Sequence, residues 1–351
     1  MISTAIALPR IPLAHLPTPL VPLDRLSEAL GGPRIWMKRD DCTGLGTGGN
    51  KTRKLEFLLG AARQEGADVV ITFGAVQSNH ARQTAAACAV LGLPCHLILA
   101  RKVPWPDPGY ERLGNLLLDR LFGAHVHLVE ASEVRATHQR LLADLEQRGH
   151  RPYVIPTGGS NAVGALGYAF CADELLRQCD ELAVELTDLV HATSSAGTQA
   201  GLLAGLTLLG HLRPGNERVA VHGINVSEPP SEVDAQVETI GRLAAEAVAL
   251  AGGDGPMNRA AVRVDSDYLG EGYGLPTPAT IDAIRQVASL EGVLLDPVYS
   301  GKAMSGLIAR IGQGEFDGRR DVVFLHTGGT ASLPVYGDML LEGRDTAGEV
   351  R

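Results

Sequence analysis

From residue 51 onward, short apolar runs alternate with longer Ala- and Leu-rich stretches whose apolar positions recur three or four residues apart. The short runs predict strands at 69–74, 95–100, 125–130, 153–156, 189–193, 219–226 and 321–326. The longer stretches predict helices at 51–65, 78–91, 111–122, 133–148, 163–178, 198–210, 232–251, 278–291 and 301–313. Strand and helix alternating to the end of the chain is the pattern of mostly parallel sheets covered by helices, so the fold class is α/β. Most of these helices begin beside Gly, Ser, Thr, Asn or Asp, which cap helices and turn chains. No repeat of 20–50 residues and no low-complexity tract breaks the pattern, and the Pro-rich segments 103–110 and 251–259 are too short to be linkers.

Composition narrows the partners. At roughly 150 residues per domain, 351 residues make about two domains with no need for disulfide or metal staples. The apolar runs fall short of the ~20 residues needed to cross a bilayer, and a net charge of −9 with no polybasic run gives nucleic acid or an anionic membrane no footing. A small molecule is the expected partner. The five cysteines, Cys42, Cys88, Cys95, Cys171 and Cys179, form no C-x-x-C pair and no metal-ligand spacing, which suits a reducing compartment and a site without metal. The start MISTAIALPRIP has no basic segment before its apolar stretch, a poor secretory signal, and the expected location is the cytoplasm.

Six stretches carry chemistry. Gly48-Gly49-Asn50-Lys51 enters a helix, followed by Arg53 and Lys54. Glycines let backbone approach a planar ligand, and a helix start disfavours added positive charge, so the Lys51 amine is placed to lose its proton and act in Schiff-base chemistry. The same lysine also fits a solvated helix start. Asn50 stands where a phosphate-binding P-loop requires Gly. Gln77-Ser78-Asn79-His80 sits where a strand hands over to a helix, the position at which open α/β sheets bind ligands and free amides attract anions. Plain helix capping by Ser78 accounts for the same residues. Ser194-Ser195-Ala196-Gly197-Thr198 repeats that arrangement with hydroxyls and small residues suited to a phosphate, without the G-x-G-x-x-G spacing of a dinucleotide site. Tyr273 and Tyr299 lie in Gly- and Pro-flanked loops where a phenol reaches into a cleft, and His326-Thr327-Gly328-Gly329 closes the last strand. Ser78 and His80, two apart on a helix, make no triad, and neither a G-x-S-x-G elbow nor H-E-x-x-H occurs. Lys38-Arg39-Asp40-Asp41 reads as a charged strand end or turn.

Taken in order, LPTPL at 16–20, KRDD at 38–41, GGNKTRKLEFL, QSNHARQTAA, PYVIPTGGSNAVGALGY, SSAGTQAGL, GYGLP, DPVYSGKA and HTGG resemble the D-cysteine desulfhydrase and 1-aminocyclopropane-1-carboxylate deaminase family of fold-type-II pyridoxal phosphate enzymes. The resemblance spans nearly the whole chain. It implies two three-layer α/β domains of tryptophan synthase β-like architecture, a large one from 1–50 and 160–351 and a small one from 51–159, and a homodimer. It implies that Lys51 holds pyridoxal 5'-phosphate as a Schiff base and exchanges protons with the substrate's α-carbon. Asn79 would bond the cofactor's ring hydroxyl, Ser195, Ala196, Gly197 and Thr198 its phosphate, and Thr327 would also face the cofactor. Ser78, with the amides of Asn79 and His80, would take the substrate carboxylate, with Tyr273 and Tyr299 flanking the substrate.

Within that family the cyclopropane-opening deaminases resemble one another in a Glu after the DPVY tyrosine and a Leu after the late His, where this chain has Ser300 and Thr327. A glutamate beside the pyridine nitrogen would keep it protonated and the ring a deep electron sink, which a hydroxyl does not enforce. Eliminating a good leaving group needs less of a sink than opening a carbon ring, and His80, where those deaminases tend to have Gln, points the same way. The expected reaction is β-elimination from D-cysteine to sulfide, pyruvate and ammonia. Sulfo-lyase activity on L-cysteate, cyclopropane opening and cofactor binding without turnover are the alternatives.

Overall fold

In a computed structural model, which describes residues 8–213, 216–253 and 258–342, every predicted strand and helix forms. The first half runs β1 (Leu20–Pro22), α1 (Asp24–Leu30), β2 (Arg34–Arg39), α2 (Lys51–Gln64), β3 (Val69–Ala75), α3 (Asn79–Leu91), β4 (Cys95–Arg101), α4 (Gly114–Leu121), β5 (His125–Glu130), α5 (Val134–Gln147) and β6 (Pro152–Ile155). The second runs α6 (Ala162–Leu182), β7 (Asp188–Thr193), α7 (Gly197–Leu208), the short β8 (Leu212–Arg213) and β9 (Asn216–Glu217), β10 (Ala220–Asn225), α8 (Val233–Leu250), β11 (Arg263–Asp265), α9 (Pro278–Glu291), α10 (Ser300–Gly312), β12 (Asp321–His326) and α11 (Gly337–Leu341). Beyond expectation are α1, α11, β1, β2, β11 and the β8–β9 pair, all short or flanked by charge.

Two larger sheets result. One is ordered β5-β4-β3-β6 and wholly parallel; the other is ordered β1-β2-β12-β7-β10-β11, parallel except for the antiparallel edge strand β1. Strands β7 and β12, central in the second sheet, are buried at all six positions, as a parallel strand covered on both faces requires.

Helices α2, α6 and α7 pack together with very close backbones, and glycine is the reason. A Cβ on Gly167 would stand 2.3 Å from the Arg53 carbonyl oxygen, and one on Gly201 would stand 2.1 Å from that of Ala165. Neither position has room for a side chain. This close seat fixes the start of α2, where Lys51 lies.

The KRDD segment does end a strand, yet it does not face water. Lys38 and Asp40 are both 0% exposed. Arg53 forks onto Asp40 (Nε–Oδ2 2.8 Å, Nη2–Oδ1 2.8 Å) and onto Glu174 (Nη1–Oε2 3.0 Å, Nη2–Oε1 2.8 Å), while Lys38 pairs with Glu174 and donates to the Thr18 carbonyl at 2.7 Å. Thr18 and Tyr168 hydroxyls donate to Asp40 at 2.8 and 2.6 Å. Two cations and two carboxylates therefore cancel inside the protein, the condition under which buried charge persists. Burial alone would raise both acids, but Arg53 and Lys38 hold Asp40 and Glu174 below the usual carboxylate range. Among the described residues no helix is long and apolar enough to cross a membrane.

Candidate active site

A cavity of about 760 Å³ opens between the two sheets, at the carboxyl ends of β3, β4, β7, β10 and β12. Ligands bind at this end of parallel sheets because helix starts and their unpaired amides converge there. Lys51, Ser78, Asn79, His80, Ser195, Ala196, Thr198, Tyr273, Tyr299 and Thr327 all line it. Gly197 is the remaining expected residue and lies within the Ser195–Thr198 turn. Residues up to 276 positions apart in the chain are thus brought to one chamber.

Lys51 opens α2 with its amine donating to Asn50 Oδ1 at 2.8 Å. Asn50 in turn donates from Nδ2 to Thr198 Oγ1 at 3.0 Å and from its backbone N–H to the Thr327 carbonyl at 3.0 Å. One asparagine so ties the lysine to the start of α7 and to the end of β12. Burial, and after it the positive charge of Arg82, pushes the Lys51 amine down to about 8, partly offset by Asp296. A useful fraction of it is therefore neutral near pH 7, as a nucleophilic or proton-accepting amine requires.

At the end of β7 the chain makes a γ-turn. Gly197 N–H donates to the Ser195 carbonyl at 2.9 Å, and Ala196 is forced to φ +72° and ψ −39°, a strained conformation for a residue with a side chain. Against this turn stands Lys54, buried, its ammonium 3.0 Å from where a Gly197 Cβ would be and donating to the Gly158 carbonyl at 3.1 Å. Burial, then Lys51, drives Lys54 well below its ordinary value. A buried amine beside amides and hydroxyls at a helix start is a seat that an anion completes. Ser160 donates from Oγ to Ser195 Oγ at 2.8 Å and accepts from the Gly197 N–H at 3.2 Å, buttressing the turn. In sequence Lys54, one turn into a helix, reads as a solvated residue, and only the fold buries it and brings Ser160 against the turn.

The wall from α3 offers complementary groups. Ser78 caps the helix, accepting from the Ala81 N–H at 3.2 Å, and also lines the cavity, so capping does not turn it away from that chamber. Thr72 gives its hydroxyl hydrogen to the Ile155 carbonyl at 2.8 Å, so His80 Nε2–H is the donor in the 2.8 Å bond to Thr72. That leaves His80 Nδ1 a buried acceptor without a partner among the described residues. Burial, with Lys51 and Lys54 nearby, holds this imidazole well below its usual range and hence neutral. On the other side the Tyr273 and Tyr299 hydroxyls meet at 2.5 Å. Burial raises both, Tyr273 to about 12 and Tyr299 further, so both keep their protons at neutral pH.

Ser300 and Thr327 separate in the structure. Ser300 is buried with its hydroxyl donating to Asp296 Oδ1 at 2.7 Å and accepting from the Asp296 N–H at 2.8 Å, whereas Thr327 lines the cavity. Among the described residues no group of three or more His, Cys, Asp or Glu could hold a metal ion.

These groups fit pyridoxal phosphate: an anion seat at Ser195–Thr198 with Lys54, a deprotonatable amine at Lys51, and a carboxamide at Asn79 lining the same cavity. A tight contact makes the anion seat testable. A Cβ on Gly158, at φ +70°, would stand 2.0 Å from Ser195 Oγ. Gly158→Ala is expected to displace the turn and weaken cofactor binding by at least about tenfold, roughly 1.4 kcal/mol, read by titrating the apoprotein with pyridoxal phosphate.

Comparison with known proteins agrees with this geometry. Residues 11–328 match the family described as pyridoxal-phosphate dependent enzyme. D-cysteine desulfhydrases of Salmonella newport and Salmonella typhi are among the relatives; the former is 45% identical over 329 residues, covering 93% of this chain and 96% of the relative. A crystal structure of an ACC deaminase homologue superposes with a TM-score of 0.83 at 37% identity, over 95% of this chain and 96% of the other. A hydrogen sulfide-producing enzyme from Fusobacterium nucleatum, 17% identical with a TM-score of 0.63 over 90% and 96% of the two chains, shares the fold. With the buried lysine, the Ser195–Thr198 turn and the two mostly parallel sheets all in place, the chain belongs to the pyridoxal phosphate-dependent enzymes of fold type II.

Proposed function

We propose that the protein is a lyase that eliminates sulfide from D-cysteine, with D-cysteine and water giving hydrogen sulfide, pyruvate and ammonia. The observation that carries this reading is the joint placement of Lys51, the Ser78–His80 helix start, the Tyr273–Tyr299 pair and Thr327 around one cavity, in a chain 45% identical to D-cysteine desulfhydrases. Pyridoxal phosphate supplies an electron sink for charge developing at the substrate's α-carbon. Lys51 would hold it, with Ser195, Ala196, Gly197, Thr198 and Lys54 to take the phosphate, Asn79 the ring oxygen and Thr327 the ring nitrogen. A hydroxyl at that nitrogen imposes no proton on it, which suits loss of a good leaving group.

The substrate carboxylate is held by Ser78 and the first amides of α3, which have no partner inside the helix. Neutral Lys51 Nζ accepts the α-proton. The Tyr273 and Tyr299 hydroxyls, one proton between them and a second to give, protonate the departing sulfur. The small unit, 51–159, and the large unit, 1–50 with 160–351, supply opposite walls, and their approach excludes water from the cavity. A cytoplasmic homodimer completes the reading; Leu117 and Leu121, exposed four apart on α4, and the exposed Leu113 just before that helix support a second copy as their cover. Light scattering tests the dimer.

The deciding assay gives the cofactor-loaded protein D-cysteine, L-cysteine, L-cysteate and aminocyclopropane carboxylate in parallel. Pyruvate is expected from D-cysteine above the others. Pyruvate from L-cysteate alone changes the substrate, and ketobutyrate from the cyclopropane overturns the reading. Thr327→Leu is expected to lower D-cysteine turnover by about 10²-fold through the lost ring-nitrogen partner; unchanged turnover removes Thr327 from the mechanism.

A further inference from the structure

Behind Asn79 lies a polar chain that touches no substrate and that the mechanism above does not use. Arg82, one turn further along α3, is fully buried, yet its hydrogen-bond partners are all neutral oxygens: Gly48 O at 2.6 Å, Asn115 Oδ1 at 2.8 Å and Asn79 Oδ1 at 3.0 Å. Asn115, also fully buried, donates from Nδ2 to the same Asn79 Oδ1 at 3.0 Å and to the Gln77 carbonyl at 2.9 Å, while its backbone N–H donates to Gln77 Oε1 at 2.9 Å. Gln77 is pinned in turn through Nε2 to the carbonyls of Tyr110 at 2.6 Å and Leu113 at 3.1 Å.

Donor and acceptor counting fixes the result. Arginine has only donors, so any carboxamide atom facing it is oxygen. Asn79 therefore has its oxygen engaged twice from behind, and its NH₂ is the end left for the cavity that Asn79 lines. Turned the other way, Asn79 would set its NH₂ against Arg82 and offer the cavity an acceptor. Arg82 Nε and both Asp119 carboxylate oxygens are buried without partners among the described residues. No carboxylate thus hydrogen-bonds Arg82, although Asp119 and Asp296 lie near enough to favour its charge against burial.

We propose that Arg82, acting through Asn79, is a positioning residue for the cofactor: it locks the Asn79 carboxamide as a donor toward the anionic ring oxygen of pyridoxal phosphate and lends positive charge behind that bond. The inference rests on the placement of the cofactor against Asn79 proposed above. It assigns to the α3–α4 contact, rather than to the cavity wall alone, the choice of which ionised form of the ring is bound.

A double-mutant cycle on cofactor binding and on the visible absorption of the bound cofactor tests it, with no substrate needed. In the otherwise unaltered holoenzyme, Arg82→Met is expected to weaken pyridoxal phosphate binding about 10- to 100-fold, as loss of a supporting partner behind a ligand does elsewhere, and to shift the visible band. Arg82→Lys, which keeps the charge and one donor, is expected to recover most of the loss. In an Asn79→Ala background the same arginine substitutions are expected to cost less than about threefold. Equal losses in both backgrounds would show that Arg82 acts on packing alone and overturn the inference. If Asn79→Ala by itself leaves affinity and spectrum unchanged, the placement of the cofactor falls first. Should Arg82→Met fail to fold, the Arg82→Lys arm of the cycle reads the same coupling, and full additivity there refutes it.

Discussion

Lys51→Ala is expected to abolish the visible absorption band of the bound cofactor and to reduce D-cysteine turnover by at least about 10³-fold, the scale of losing a group that both binds covalently and moves a proton. The fold is expected to survive, because the Lys51 amine makes one hydrogen bond, to Asn50. Unchanged far-ultraviolet circular dichroism and Tm alongside lost activity would place the effect in the chemistry. Turnover within tenfold of the unaltered protein would overturn the assignment of Lys51. The amine's depression to about 8, caused first by burial and then by Arg82, adds a pH signature. Activity limited by a neutral Lys51 should rise with pH up to that value, and Arg82→Lys should leave that limb in place.

The second large effect is on stability. Glu174→Gln keeps the shape of the side chain but leaves Lys38 and Arg53 sharing one carboxylate, Asp40, in a site shut off from water. Breaking one member of a buried ionic cluster costs about 3–5 kcal/mol, so a fall in Tm on the order of 10 °C is expected. The sign of the pH dependence follows from the two carboxylates. Both are held below their ordinary values in the folded protein, so their stabilisation is present at neutral pH and is lost as pH falls through the folded values. The gap between the unaltered protein and Glu174→Gln is therefore widest near pH 7 and closes below about pH 4, which urea unfolding at several pH values will read. A gap that stays constant with pH would mean that the cluster stabilises by packing and not by charge. Because Arg53 stands two residues beyond Lys51, the variant should also loosen cofactor binding.

These two residues mark the division between what could and could not be read from the chain alone. Lys51 stands in a local pattern, glycines before it and an amphipathic helix after it, and its role is visible in about ten residues. Glu174 looks like any acid on a long helix. Its partners lie 136 and 121 positions away, at Lys38 and Arg53, and no local pattern announces them. The strand β2 went unpredicted for the same reason: its charged ends read as exposed until remote groups neutralise them.

The sequence by itself determined the α/β class, the order of strands and helices, and the residues at the strand ends, because hydrophobic periodicity and helix starts are local properties that each segment states on its own. Only the tertiary structure decided which of those strand ends face one another. It also decided that Thr327 and not Ser300 reaches the cavity, that Lys54 is buried beside the anion seat, and that Arg82 and Asn115 stand behind Asn79. The physical reason is that burial and hydrogen-bond direction depend on neighbours distant in the chain, and the same lysine, arginine or serine is a solvated residue or a tuned one according to what packs against it.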